Sequence, residues 1–295
     1  MPVLALLHVS VQSVLVAVLA AWCILGPAQP QDNEAPRLVE PTLFAPGIIS
    51  TEAIEYGVAF APDGKSVYFT RRASWSEAPA LYVSHFEGGV WQEPTMLPFS
   101  GTYTDEYPSL SPDGRRLFFA SKRPVEGGSA QPHNDIWFVE RTATGWSAPQ
   151  HLPAPINTAF IDSHPYLSPS GDLYFHSNRE GRVVDIYVAE QADSDRIVRL
   201  AINSPAVDGE FYATPDEQCA FFYSERQGSY GAGDLYVTCR EEGQWGAPRN
   251  LGETVNTPNY EWTPSVSPDG AYLFFARITG NRSDVYQISL RELLP

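Results

Sequence analysis

Five copies of one turn punctuate the chain between residue 36 and its end. They are Ala61-Pro62-Asp63-Gly64, Ser111-Pro112-Asp113-Gly114, Ser168-Pro169-Ser170-Gly171, Thr214-Pro215-Asp216-Glu217 and Ser267-Pro268-Asp269-Gly270. The prolines stand 50, 57, 46 and 53 residues apart. Proline presets φ for a type I turn and glycine closes the fourth position, so each copy reverses the chain between two strands. An aromatic strand follows every time: Val67-Tyr68-Phe69, Leu117-Phe118-Phe119, Leu173-Tyr174-Phe175, Ala220-Phe221-Phe222 and Leu273-Phe274-Phe275. Apolar residues on both faces mark these as inner strands packed between sheets.

A loop of variable length leads to a third strand, at Leu81-Tyr82-Val83, Asp135-Ile136-Trp137, Asp185-Ile186-Tyr187, Asp234-Leu235-Tyr236 and Asp284-Val285-Tyr286. A fourth is marked by Trp91-Gln92-Glu93-Pro94, Trp146-Ser147-Ala148-Pro149 and Trp245-Gly246-Ala247-Pro248, whose proline confines it to a sheet edge. Strand-only repeats of this period predict an all-β fold, a five-bladed β-propeller of four-stranded antiparallel blades. The fifth copy ends after its third strand. Leu38-Val39-Glu40-Pro41 reads like the missing fourth, so an N-terminal strand is expected to complete the last blade and remove the open edges.

The order acidic residue, Ser-Pro-Asp-Gly, aromatic strand, Ser-x-Arg, loop, Asp-Ile-Tyr-Val is clearest over 105–139 and 162–188. It resembles the WD40-like repeats of TolB-type β-propellers, over nearly all of residues 36–295. The resemblance implies the propeller fold; a TolB-like role in envelope complexes is analogy alone. The departures are Glu217 for glycine, Ala80 for aspartate and Ile278 for arginine.

Residues 1–28 are apolar, most densely over Val14 to Gly26, too short a run to span a bilayer comfortably. They are read as a signal peptide, with 29–35 a short linker and 36–295 the propeller; a retained N-terminal anchor is the alternative. Export to the periplasm or outside the cell follows, although no Lys or Arg precedes Arg37. The net charge of −16 repels a phosphate backbone, so nucleic acid is not an expected partner. No membrane span is expected in the mature chain, and a monomer is. Cys219 and Cys239 fall opposite each other if Phe221 faces Val237 and Tyr223 faces Leu235, which leaves either a disulfide or two packed thiols. Asn281-Arg282-Ser283 is a formal glycosylation site.

An acidic residue stands seven positions before each repeat proline: Glu55, Asp105, Asp162, Asp208 and Glu261. A side chain repeated in every blade usually serves the blade, here by capping loop N–H groups or pairing with arginine. Arg72, Arg123, Arg179 and Arg226 are likewise expected to clamp Asp135, Asp185, Asp234 and Asp284 across the loop between second and third strands. The neighbouring positions differ from copy to copy, and these are the candidate ligand-binding residues: Tyr56, Glu106, Tyr107, His164, Glu210 and Trp262. Mixed aromatic, acidic and imidazole groups around a channel mouth suit a peptide, protein or glycan ligand. Trp75 and His133 belong to loops on the same face, and His176 is read as a packed core residue.

The expected function is an exported binding or scaffold module. The sequence contains no nucleophile elbow, no His-Glu-x-x-His pair, no metal spacing and no phosphate loop, so no cofactor or metal is expected. A glycoside hydrolase using Asp105, Asp162 and Glu210 as paired carboxylates is the alternative.

Overall fold

A computed structural model describes residues 39–125, 128–181, 183–192 and 195–294. The expected signal peptide and linker lie outside the described residues. Each of the five repeats folds into an antiparallel meander. The first strands are Ile54–Phe60, Asp105–Leu110, Asp162–Leu167, Asp208–Ala213 and Tyr260–Val266. The second strands are Ser66–Arg72, Arg116–Ser121, Leu173–Ser177, Cys219–Ser224 and Tyr272–Thr279, and the third are Ala80–Glu87, Asp135–Thr142, Asp185–Ala189, Asp234–Glu241 and Arg282–Ser289. One 3-10 turn, Leu290–Glu292, follows the last.

The second strands are buried on both faces, as their doubly apolar sequences require. Phe69, Phe119, Phe175, Phe222 and Phe275 are almost wholly inaccessible. Each stabilises the fold by roughly 1.5–3 kcal/mol through removal from water. The buried side chains form clusters between consecutive repeats, for example Leu117, Phe119 and Val139 against Tyr68, Leu81 and Val83. One cluster joins the last repeat to the first, with Phe274 and Val285 against Phe44, Val58, Val67 and Phe69. First strands neighbour one another around a common axis, so the core is a cycle of interfaces.

The edge strands differ in detail from expectation. In three repeats the Trp-x-x-Pro segment is a broken strand, with both pieces paired to the same third strand. Pro94, Pro149 and Pro248 sit in the breaks, where no ladder N–H is required. The closing strand obeys the same rule. Thr42–Leu43, immediately after Pro41, pairs antiparallel with the last third strand, Thr42 opposite Gln287 and Leu43 opposite Tyr286. The sequence placed it four residues too early because the proline was read as part of the strand.

Cys219 faces Cys239, Phe221 faces Val237 and Tyr223 faces Leu235. The cysteines are joined in a disulfide between the second and third strands of the fourth repeat. Closing a loop of this size contributes roughly 3 kcal/mol. Mass spectrometry of the unfolded, alkylated protein should find these thiols blocked until reductant is added, and Cys219→Ser should lower the urea midpoint. Two thiols that alkylate without reduction would contradict the bridge.

Candidate functional site

The five repeated acids are wholly buried, and each one meets an arginine. Two registers achieve this. Where the acid is aspartate, a serine stands opposite it and the arginine comes two residues later. Asp105 Oδ1 accepts from Ser121 Oγ at 2.7 Å and Arg123 Nη2 at 2.6 Å, while Arg123 Nε donates to Ser121 Oγ at 3.0 Å. Asp208 is held the same way by Ser224 and Arg226, and Asp162 by Arg179 over Ser177. Where the acid is glutamate, the arginine itself stands opposite, as in Glu55–Arg71 at 2.9 Å and Glu261–Arg277 at 2.7 Å.

Each arginine also donates to a loop carbonyl ahead of its own first strand: Ile48, Phe99, Ile156, Ile202 and Val255. It lies over a cross-strand aromatic pair, for instance Phe222 and Tyr236 beneath Arg226. The acids in turn accept from loop donors such as Thr51, Ser100, Thr158, Ser204 and Thr257. These are structural clamps that fasten each loop to the first and second strands. Three expectations are corrected. Arg71 makes the clamp in the first repeat, not Arg72, and Arg277 makes it in the fifth, where only Ile278 had been compared. The aspartates opening the third strands take other partners: Asp135 meets His151 and His133, Asp185 meets Arg199, Asp234 meets Asn250, and Asp284 meets Arg282.

The divergent positions owe their direction to a bulge. In every first strand two residues oppose one on the second strand, and the first of the two has positive φ: Gly57, Tyr107, His164, Glu210 and Thr263. Such bulges bend a strand and re-aim its side chains. The second bulge position is proline in three repeats, Pro108, Pro165 and Pro264, which a regular inner strand would not admit. Holding a side chain other than glycine in the left-handed region costs about 1–3 kcal/mol. Only the first repeat uses glycine. The other four bear that cost while aiming tyrosine, imidazole, carboxylate and hydroxyl groups toward the axis.

The six candidate residues converge there, and they fill the passage. Tyr56 is wholly buried, stacked on Trp262 at 4.6 Å and donating to Glu106 Oε2 at 2.8 Å. Asn134 Nδ2 donates to the other oxygen of Glu106 at 2.8 Å. Tyr107 stacks on His164 at 3.3 Å, His164 Nε2 stands 3.2 Å from Glu210 Oε1, and the Thr263 N–H donates to Glu210 Oε2. His164 Nδ1 faces His176 Nε2 at 3.3 Å, so His176 belongs to the axial group. Gly209 is required beside it, since a Cβ there would stand 2.7 Å from His176 Nδ1. The void enclosed by the bulge residues Gly57, Tyr107, His164, Glu210 and Thr263 and those that follow them is only about 40 Å3. The repeat prolines line a wider cavity of about 200 Å3 on the opposite side, the side of the Pro-Asp-Gly turns.

Burial controls protonation here. It pushes the Glu210 carboxyl up to about 8, with the charge of Glu106 adding to the effect, although the Thr263 N–H opposes it. It holds His164 well below the usual imidazole range and pushes His176 down to about 3. At neutral pH the axis therefore carries a protonated carboxyl beside neutral imidazoles. Asp105 and Asp162, the other acids of the hydrolase reading, are locked in clamps away from solvent.

Three residues at the mouth remain half-exposed. Trp75 lies 6.4 Å from Trp262 between ring centroids, and the Arg72 guanidinium stands 4.2 Å over Trp75 and 5.7 Å from Tyr56. The sequence named Trp262 for a ligand and Trp75 for this face, but assigned Arg72 to a clamp. The two adjacent arginines, Arg71-Arg72, were the available signal.

No protein-family model matches the chain, and no curated protein matches its sequence. Solved structures do resemble it in fold. A TolB candidate from Agrobacterium tumefaciens is 20% identical, with a TM-score of 0.54 over 82% of this chain and 79% of that one. A thermostable family-43 glycoside hydrolase is 13% identical, with a TM-score of 0.52 over 82% and 90%. A sialidase, Hadza microbial Hz136, is 11% identical, with a TM-score of 0.51 over 83% and 67%. At these identities the likeness concerns fold alone: the chain has a TolB-like propeller fold. No helix among the described residues is long and apolar enough to cross a membrane.

Two outcomes are expected. Asp208→Ala leaves Arg226 buried without its counter-charge and should cost about 3–5 kcal/mol by urea denaturation. A loss below about 1 kcal/mol would remove the clamp from the account. Glu210 binds a proton in the folded state between its ordinary value and about 8, so it draws stability down as pH rises through that window. The isosteric Glu210→Gln variant should gain on the wild type from pH 5 to pH 9. Parallel stability curves for the two proteins would show that Glu210 is already ionised.

Proposed function

We infer that the chain is an exported, monomeric, five-bladed propeller that binds a peptide, protein or glycan at the mouth of its axis. Five inter-repeat clusters, one of them joining the last repeat to the first, support the count of five blades. The apolar run before Gly26 and the cysteine pair support export. The observation that carries the binding reading is the set of left-handed bulge residues. Glycine would be the least strained choice at all five, yet four hold distinct functional side chains pointed at one place. Tyr56, Glu106, Tyr107, His164 and Glu210 form the floor of the site, and Trp262 with Trp75 forms its contact surface.

Glu210, a buried carboxyl protonated at neutral pH, is the one observation favouring the glycosidase alternative, because a general acid needs that state. Its nearest recurring carboxylates are held in clamps, which favours binding without turnover. The full chain should therefore retain ligands on polysaccharide and peptide arrays while releasing no reducing ends or cleaved peptide. Trp262→Ala should weaken retention at least tenfold in a protein that circular dichroism shows to remain folded, although the lost stacking on Tyr56 lowers its melting temperature. Turnover that Glu210→Gln abolishes would establish the enzyme instead, and an absence of retention on every array would remove the binding reading.

A further inference from the structure

Arg72 is a product of the two clamp registers. In the aspartate repeats the arginine two places after serine is consumed by the acid. In the first repeat Glu55 takes Arg71, directly opposite, and leaves the next residue unclaimed. Strand alternation then turns Arg72 away from Arg71, toward the mouth. The equivalent residue of the fifth repeat is Ile278, so this cation has no counterpart there.

Among the described residues no carboxylate pairs with Arg72, and its buried Nε has no hydrogen-bond partner. Glu106, on the same face, is already satisfied by Tyr56 and Asn134. The Arg72 guanidinium is braced by Trp75 and Tyr56, and Trp262 beside them also buries an Nε1 without a partner. A planar cation with open donors recognises a carboxylate bidentately, and flat indole faces next to it accept the apolar face of a ring.

We propose that Arg72 is the anion-recognition residue of the mouth, and that the ligand is an acidic sugar whose carboxylate pairs with Arg72 while its ring lies on Trp75 and Trp262. This rests on the reading of the mouth as a binding site. An extended peptide fits less well. Peptides gain affinity by adding a strand to a free sheet edge, and the first strands around this axis are already paired and surrounded by their neighbours. The overall negative charge repels anions at long range, but screening confines that effect to about 8–10 Å, whereas Arg72 acts at contact.

The test is calorimetric titration of the full chain with a glucuronic-acid trisaccharide and with its methyl ester, which keeps the ring and removes the charge. The free acid should bind about tenfold or more tightly than the ester, the margin of a charge-assisted pair. Arg72→Gln should erase that preference while retaining the ester's affinity, and Arg72→Lys should recover part of it. Arg72 belongs to no clamp, so the melting temperature should hold in both variants. Equal affinity for acid and ester, or an Arg72→Gln variant that keeps the preference, overturns the role of Arg72 but leaves the binding site standing. A short peptide and its C-terminal amide form the second arm. Acid-over-amide preference there that depends on Arg72, with no trisaccharide binding, overturns the sugar assignment.

Discussion

The buried carboxylate–arginine clamp is the interaction on which the rest depends. A propeller places many loops side by side at one end of its axis, and those loops carry no ladder to hold them. Here each acid accepts from the loop that precedes its strand, while its arginine crosses the second strand to reach a carbonyl of the same loop. One ion pair thus fixes three segments, over an aromatic pair that excludes water. Because both charges are buried, removal of either leaves the other without compensation, which makes the arrangement intolerant of partial loss. It recurs in all five repeats, at the start of every first strand.

That uniformity is what allows the next residues to differ. With the strand entry fixed, the bulge aims whichever side chain occupies it at a common point. Tyr107, His164, Glu210 and Thr263 then complement each other instead of repeating one role. The product is a plugged axis, in which Glu210 is held protonated beside neutral imidazoles, with a rim of Trp262, Trp75 and Arg72 above it. On the proposed reading a ligand approaches from the rim, because Tyr56 and Glu106 are buried beneath it.

Much of this was legible in the residues. The turn period, the aromatic strands and the cross-strand register that sets Cys219 opposite Cys239 were readable from alternation and spacing, whereas the bond between the cysteines was not. So does the convergence of the divergent positions, since equivalent places in a cyclic array meet at its centre. What the sequence could not convey was depth. The same six residues describe an open ring or a filled plug, and only packing volumes separate the two. Pro108, Pro165 and Pro264, prolines inside inner strands, were the available sign of the bulge. Arg72 was missed because the arginines were matched to the third-strand aspartates, whereas the acid that takes an arginine in the first repeat is Glu55, which pairs with Arg71.

The central claim is that function lies at the divergent rim of the axis and not at the repeated turns on the opposite face. Hydrogen–deuterium exchange of the full chain, with and without the ligand that its array screen retains, tests this most directly. Protection should appear in the loop 73–79 and in the segment 259–262, with the turns at Asp63, Asp113 and Asp269 unchanged. Protection confined to those turns, around the wider cavity lined by the repeat prolines, would place the site on the other face and contradict the account.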